Sequence, residues 1–96
     1  MNDQSPAISV VVPLFNEEES VPLLQNEVMA ALAGLEFEII FVDDGSVDGT
    51  AERIAPSPKV RVIRFAKNTG QSAAMYAGLQ AARGAVVVLI DGDLQN

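Results

Sequence analysis

Short apolar runs alternate with stretches of helical periodicity along the 96 residues. "ISVVV", Ile8 to Val12, is continuously apolar and is closed by Pro13, the pattern of a strand buried on both faces. Val21, Leu24, Val28 and Leu32 then recur at three- and four-residue intervals, which predicts a helix over 21–33. Ser20 is placed to cap it, Pro22 falls in its first turn, where a missing N–H costs little, and Gly34 fits as its stop.

The alternation repeats. "FEIIFV", Phe37 to Val42, is a second buried strand, and a short helix is expected from about Gly49 to Ala55 before "PSP". "VRVIRF", Val60 to Phe65, alternates as a strand near an edge does. Gln71 to Ala82 is an Ala-rich helix with Ala74, Leu79 and Ala82 as inner positions. Gly84 stops it, and "AVVVLI", Ala85 to Ile90, is a fourth buried strand. The order β-α-β-α-β-α-β with right-handed crossovers means an α/β fold: a doubly wound, mostly parallel, Rossmann-like sheet in the strand order 3-2-1-4. Ligands of such sheets bind beyond the carboxyl ends of the strands, where the strand order reverses.

Composition narrows the function. Apolar residues make up 49% and charged residues 20%, a globular balance large enough for one small domain. The net charge of −7, with only six basic residues, argues against a nucleic-acid partner. No cysteine is present, so there is no disulfide framework and no thiolate metal site, which suits a cytoplasmic location. The longest apolar run is too short to span a bilayer, and "MNDQSPA" lacks the basic start of a signal peptide.

Polar residues gather at the strand ends. "DGDLQN" follows strand four, and Asp91 and Asp93, two apart at a strand tip, can face one concavity. Two such carboxylates repel unless a proton or cation lies between them, and hard oxygen ligands favour Mg²⁺ or Mn²⁺, with Gln95 as a third oxygen. In "VDDGSVDGT", turn and cap chemistry accounts for Gly45, Ser46, Asp48 and Thr50, whereas Asp43 on a buried strand tip needs a partner. An acid after strand two of this fold commonly accepts hydrogen bonds from a nucleoside. In "NEEE", Asn16 and Glu19 have capping-box spacing and Glu17 is a candidate ligand contact; in "KNTGQ", Lys67 is a candidate for a diphosphate. The absence of a glycine-rich dinucleotide fingerprint and of a P-loop argues against a dinucleotide oxidoreductase or P-loop enzyme, and the absence of histidine and cysteine excludes Ser-His and Cys-His hydrolase chemistry within these residues.

Taken together, "VVVPLFNEEESVPLL", "FEIIFVDDGSVDGT", "KNTGQSAAMYAGLQAARG" and "LIDGDLQN" resemble, in order and spacing, the N-terminal half of family 2 glycosyltransferases. The D-x-D-L-Q form of the acidic motif and "N-x-G-Q" are similar to the polyprenyl-phosphate sugar transferase branch, whose acceptors are dolichol or undecaprenyl phosphate. The resemblance implies a GT-A nucleotide-sugar-binding half-domain and metal-dependent, inverting transfer from a UDP- or GDP-sugar to a lipid phosphate. It implies that Pro13, Phe15 and Glu17 line the nucleoside pocket and that Asp43 contacts the base. Asp91 and Asp93 would then hold the divalent cation and the donor, with Gln95 a further ligand. Phe15 stands where a tyrosine is often found, and Gln71 where many relatives carry lysine.

On this reading residues 1–96 are the donor-binding half of a larger catalytic domain at the cytoplasmic face of a membrane. The acceptor half and any membrane-attaching segment would lie beyond Asn96, and catalysis by these residues alone is not expected. An exposed strand-four edge would invite self-association. Three rivals differ in what they require. A Mg²⁺-binding flavodoxin-like regulatory module needs an acid after strand three, where "RFAK" has none. A nucleotidyltransferase needs a basic glycine-rich loop after strand one, the opposite of "PLFNEEE". A processive polysaccharide synthase of the same family would differ only downstream.

Overall fold

The computed structural model describes residues 5–90. Four parallel strands form one sheet in the order β3-β2-β1-β4: β1 is Ile8–Leu14, β2 Phe37–Asp43, β3 Val60–Arg64 and β4 Val86–Leu89. Helix α1, Val21–Ala31, follows β1, and α2, Gln71–Ala81, follows β3. The expected helix near residue 50 is a single 3-10 turn, Ala51–Arg53, cut short before "PSP".

Side-chain parity along the strands builds two cores. Val10, Val12 and Leu14 of β1 with Phe37, Ile39 and Phe41 of β2 face Val21, Leu24 and Val28 of α1 and Ile54. Val11, Ile40 and Val42 face the other way, against Ala74 of α2. Each of these larger side chains contributes about 1.5–3 kcal/mol by leaving water, so the two central strands carry most of the apolar stabilisation. The first two crossovers run outward over one face. The third returns over the other, and the reversal falls between β1 and β4.

Three expectations need correction. Pro13 does not close β1, which continues to Leu14. Val11 accepts from the Ile90 N–H on the β4 side. Two residues on, Pro13 points its nitrogen the same way, past the described pairing at Val11–Leu89, so its missing N–H breaks no ladder bond with β2. Ser20 takes the N-cap position of α1 in a helical conformation and makes no side-chain cap bond. In α2, Leu79 points outward at 44% exposure, while Gly78 is buried against the sheet. A Cβ at Gly78 would lie 2.3 Å from Val11 Cγ1, so it is the absence of a side chain that lets α2 sit this close.

β4 also departs from the buried strand expected of it. Val86, Val87, Val88 and Leu89 are 39–56% exposed, because α2 packs over β1 and β2 and no described residue covers the far edge of β4.

Polar bonds fix the ends. Gln25 of α1 exchanges two hydrogen bonds with Ala55, donating to its carbonyl at 2.9 Å and accepting its N–H at 2.8 Å. At the amino ends of the strands, buried Glu38 accepts from Ser9 Oγ at 2.6 Å, from the Arg83 N–H at 2.9 Å and from Arg61 at 2.8 Å. Burial opposes the Glu38 charge, but the bonds from Ser9, Arg83 and Arg61 outweigh it and hold its carboxyl below the usual glutamate value.

Candidate nucleotide-binding cleft

At the opposite, carboxyl ends of β1 and β2 lies a cavity of ≈ 420 Å³. Pro13, Leu14, Phe15 and Glu17 line it from β1 and its exit, Asp44 from the end of β2, and Asn68, Gly70, Gln71 and Ala74 from the start of α2. It lies beyond the carboxyl ends of the strands, where this fold class binds ligands, and borders the exit of β1, one of the two strands that flank the reversal.

Parity decides which residues reach it. Val11, Ile40 and Val42 face α2, and Pro13, Phe15 and Asp44 continue those same rows. Asp43 belongs to the opposite row with Ile39 and Phe41. One residue along a strand turns a side chain to the other face, so the acid that lines the cavity is Asp44 and not Asp43. Asp43 is fully buried beside its cross-strand neighbour Arg64. Its Oδ1 accepts the Ser46 N–H at 3.0 Å; its Oδ2 lies 3.5 Å from Arg64 Nε without a hydrogen bond among the described residues. Lys67 does not line the cavity either; it is exposed on the loop into α2.

Asp44 organises one wall. Its carboxylate accepts the Thr69 N–H at 2.7 Å, the Gly70 N–H at 3.0 Å and Asn68 Nδ2 at 3.0 Å. Gly45 next to it has φ +71°, and a Cβ there would lie 2.2 Å from the backbone of Lys67 and Asn68. The two loops touch because that position is glycine.

The other wall is bonded from behind. The N–H groups of Asn16, Glu17 and Glu18 donate to Ser46 Oγ at 2.8 Å, Thr50 Oγ1 at 2.8 Å and Asp48 Oδ2 at 3.3 Å. In return Asn16 Oδ1 accepts the Val47 N–H at 3.0 Å and Glu18 Oε1 accepts the Gly49 N–H at 2.5 Å. The capping box expected of Asn16 and Glu19 is therefore not formed: Asn16 has φ +53° and bonds across to the other loop. Asp48 is partly desolvated, which opposes its charge. Bonds from the Thr50 hydroxyl and N–H and from the Glu18 N–H outweigh this and keep its carboxyl below the usual aspartate value.

Among the described residues no group of three histidine, cysteine or acidic side chains is placed to hold a metal. Asp91, Asp93 and Gln95 lie outside the described residues. They follow Ile90, whose N–H donates to the Val11 carbonyl, midway along β1. The cleft residues absent from the sequence expectation are Leu14, Asp44, Asn68, Gly70, Gln71 and Ala74. For Asp44 the signal was present, as its even spacing from Ile40 and Val42.

The family model for "Glycosyl transferase family 2" matches residues 9–96. An undecaprenyl-phosphate 4-deoxy-4-formamido-L-arabinose transferase of Pectobacterium carotovorum is 43% identical over 100% of this chain and 32% of its own length. A dodecaprenyl-phosphate galacturonate synthase of Rhizobium johnstonii is 43% identical over 97% of this chain and 30% of its own. The chain thus spans about a third of the curated relatives it matches. Among solved structures, glucosyl-3-phosphoglycerate synthase of Mycobacterium tuberculosis, in complex with Mn²⁺, UDP and phosphoglyceric acid, superposes with a TM-score of 0.76. It is 33% identical, over 92% of this chain and 33% of that one. S. aureus TarS in complex with UDP-GlcNAc has a TM-score of 0.77 at 28% identity, over 90% of this chain and 26% of that one.

Proposed function

We infer the function from one premise, that this chain belongs to glycosyl transferase family 2. Residues 1–96 are proposed as the donor-binding half of a glycosyltransferase that passes a sugar from a UDP- or GDP-sugar to a polyprenyl phosphate, working at the cytoplasmic face of a membrane. The observation that carries this is the cleft itself, an acid-walled cavity beyond the carboxyl ends of β1 and β2. Relatives named for undecaprenyl- and dodecaprenyl-phosphate products support the acceptor class, and structures holding UDP, UDP-GlcNAc or Mn²⁺ support the donor class.

The chemistry of the lining favours the nucleoside end of the donor. Phe15, 42% exposed, offers a ring face, and Pro13 a flat apolar floor. Asp44 Oδ1 receives one bond, from the Thr69 N–H, which leaves a lone pair for a ring N–H of the base. Asp44 thus takes the base-facing role first expected of Asp43. Glu17 adds a second carboxylate to the cavity wall. Two acids repel a phosphate, so the diphosphate is assigned not to this cavity but to a cation held by Asp91 and Asp93, with Gln95 a further oxygen donor. Those side chains suit Mg²⁺ or Mn²⁺, which when bound would neutralise the departing diphosphate. No helix among the described residues is long and apolar enough to cross a membrane.

Thermal unfolding in the presence of UDP, GDP, UDP-sugars and GDP-sugars, each with and without Mn²⁺, tests this. Ligand at about a hundred times Kd adds roughly 2.7 kcal/mol to the folded state. A metal-dependent rise with one nucleotide, lost in Asp91→Asn and Asp93→Asn and weakened in Asp44→Ala, is the expected result. No rise with any nucleotide in a folded protein refutes donor binding by this half.

A further inference from the structure

We propose that Thr50, assisted by Ser46 and Asp48, is a positioning residue for the donor pocket, setting the place of Phe15 and Glu17 without touching the ligand. The inference rests on the donor-pocket reading above for its functional meaning, and on geometry for its structural half.

β1 leaves the sheet after Leu14, so the next backbone N–H groups lose their ladder partners and need others. The chain does not supply them locally. Asn16, Glu17 and Glu18, three consecutive donors, each find a side-chain oxygen on the β2 exit, about thirty residues further on. Phe15 and Glu17 line the cavity; Ser46, Asp48 and Thr50 do not. One loop therefore presents the ligand-facing groups, and the other holds them from the rear.

Thr50 is the centre of this arrangement. It is fully buried, and its Oγ1 accepts the Glu17 N–H at 2.8 Å while donating to Asp48 Oδ1. Asp48 in turn accepts the Thr50 N–H at 2.9 Å and, through Oδ2, the Glu18 N–H. The hydroxyl thus has both a donor and an acceptor fixed, so its direction is fixed as well. Removing it leaves the Glu17 N–H without this acceptor and Asp48 without one of its donors. The Glu17 backbone can then shift, and shifts of about 1 Å at a binding group are enough to lower function by large factors.

Thr50→Val keeps the side-chain shape and removes only the hydroxyl; Thr50→Ser keeps the hydroxyl. UDP and GDP affinity, measured by calorimetry with Mn²⁺, is expected to weaken by about tenfold or more in Thr50→Val and to stay within about threefold in Thr50→Ser. A purely structural role would lower the melting temperature equally but leave the affinity of the folded protein unchanged. The second readout needs no ligand: amide exchange at Asn16, Glu17 and Glu18, with nuclear Overhauser contacts from the Phe15 ring. Faster exchange and lost Phe15 contacts in Thr50→Val support the proposal; an unchanged loop overturns it. If the unsubstituted protein binds no nucleotide, the donor-pocket reading falls and these two signals alone decide the positioning claim. If Thr50→Val does not fold, Ser46→Ala, which removes the acceptor of the Asn16 N–H, takes its place in both measurements. Weaker affinity with faster exchange again supports the proposal, and an unchanged loop again overturns it.

Discussion

The Asp44 carboxylate accepts the Gly70 N–H at 3.0 Å, so the end of β2 grips the residue that starts α2. The same carboxylate also binds Thr69 and Asn68, and one side chain thereby sets the spacing of two walls of the cleft. Asp44→Asn turns an amide –NH₂ towards at least one of three donors. It should destabilise the domain by about 2–3 kcal/mol, the scale for hydrogen bonds to a buried charge. Urea unfolding of the variant measures this. A change under about half a kilocalorie would mean the loop into α2 holds itself.

Glu38 links stability to pH. Its carboxyl is held below the usual glutamate value by Ser9, Arg83 and Arg61, against the opposing effect of burial. Because the folded value is the depressed one, the contribution is fully present above about pH 4.3, the ordinary glutamate value, and is lost as pH falls through the folded value. Denaturant midpoints from about pH 7 to about pH 3 should fall less steeply in Glu38→Gln than in the unsubstituted protein. At neutral pH the variant should be weaker by about 1.5–3 kcal/mol, the scale for hydrogen bonds to a charged group, because Arg61 and Arg83 stay in contact with water.

Gly78 and Leu79 make opposite predictions. Gly78→Ala places a Cβ 2.3 Å from Val11 Cγ1 and 3.2 Å from Val42 Cγ2. Overpacking of about 1–3 kcal/mol outweighs the gain of about 1 kcal/mol in helix propensity. Leu79→Ala, on the outer face, should stay within about 0.5 kcal/mol. Chemical denaturation of the pair tests the packing of α2 directly, and a stabilised Gly78→Ala would refute it.

The exposed side chains of β4 give a fourth prediction. Val86 to Leu89 carry no charge and no proline to blunt pairing with another strand. Sedimentation velocity should show the 96-residue chain associating as concentration rises, with Val88→Lys shifting it towards the monomer. Equal behaviour of the two proteins would rule out β4 as the contact.

Much of the fold was legible because the two central strands are apolar on nearly every residue and the helices on either side keep their period. The order 3-2-1-4 is the arrangement that successive right-handed crossovers build when the last one turns back over the other face. What sequence patterns could not decide was the outcome of contacts between distant segments. Strand parity groups Asp44 with Ile40 and Val42, but that this row rather than Asp43's faces the cleft depends on which face α2 covers, a tertiary fact. The role of Thr50 depends on a partner N–H at Glu17, far outside any local window. An apolar side chain predicts an inward Leu79; Gly78 holds the inner place because the sheet leaves no room there. The composition of β4 is that of a core strand, and its exposure reflects what packs beside it.

The position of β1 in the sheet bears on the order of assembly. β1 is made first, yet Ile8 pairs both with Phe37 and with Val86, the second of these near the far end of the described chain. As synthesis proceeds from the N-terminus, β1, β2 and β3 are complete at Arg64, with the α1 face filled. The Val11, Ile40 and Val42 face then stands open to water until Ala74 and Gly78 arrive. A released chain ending at Arg64 should therefore bind a hydrophobic dye strongly, and one ending at Ala81 only weakly. On this order α2 would be the closing piece of a two-step build, and β4 would join a sheet already covered on both sides.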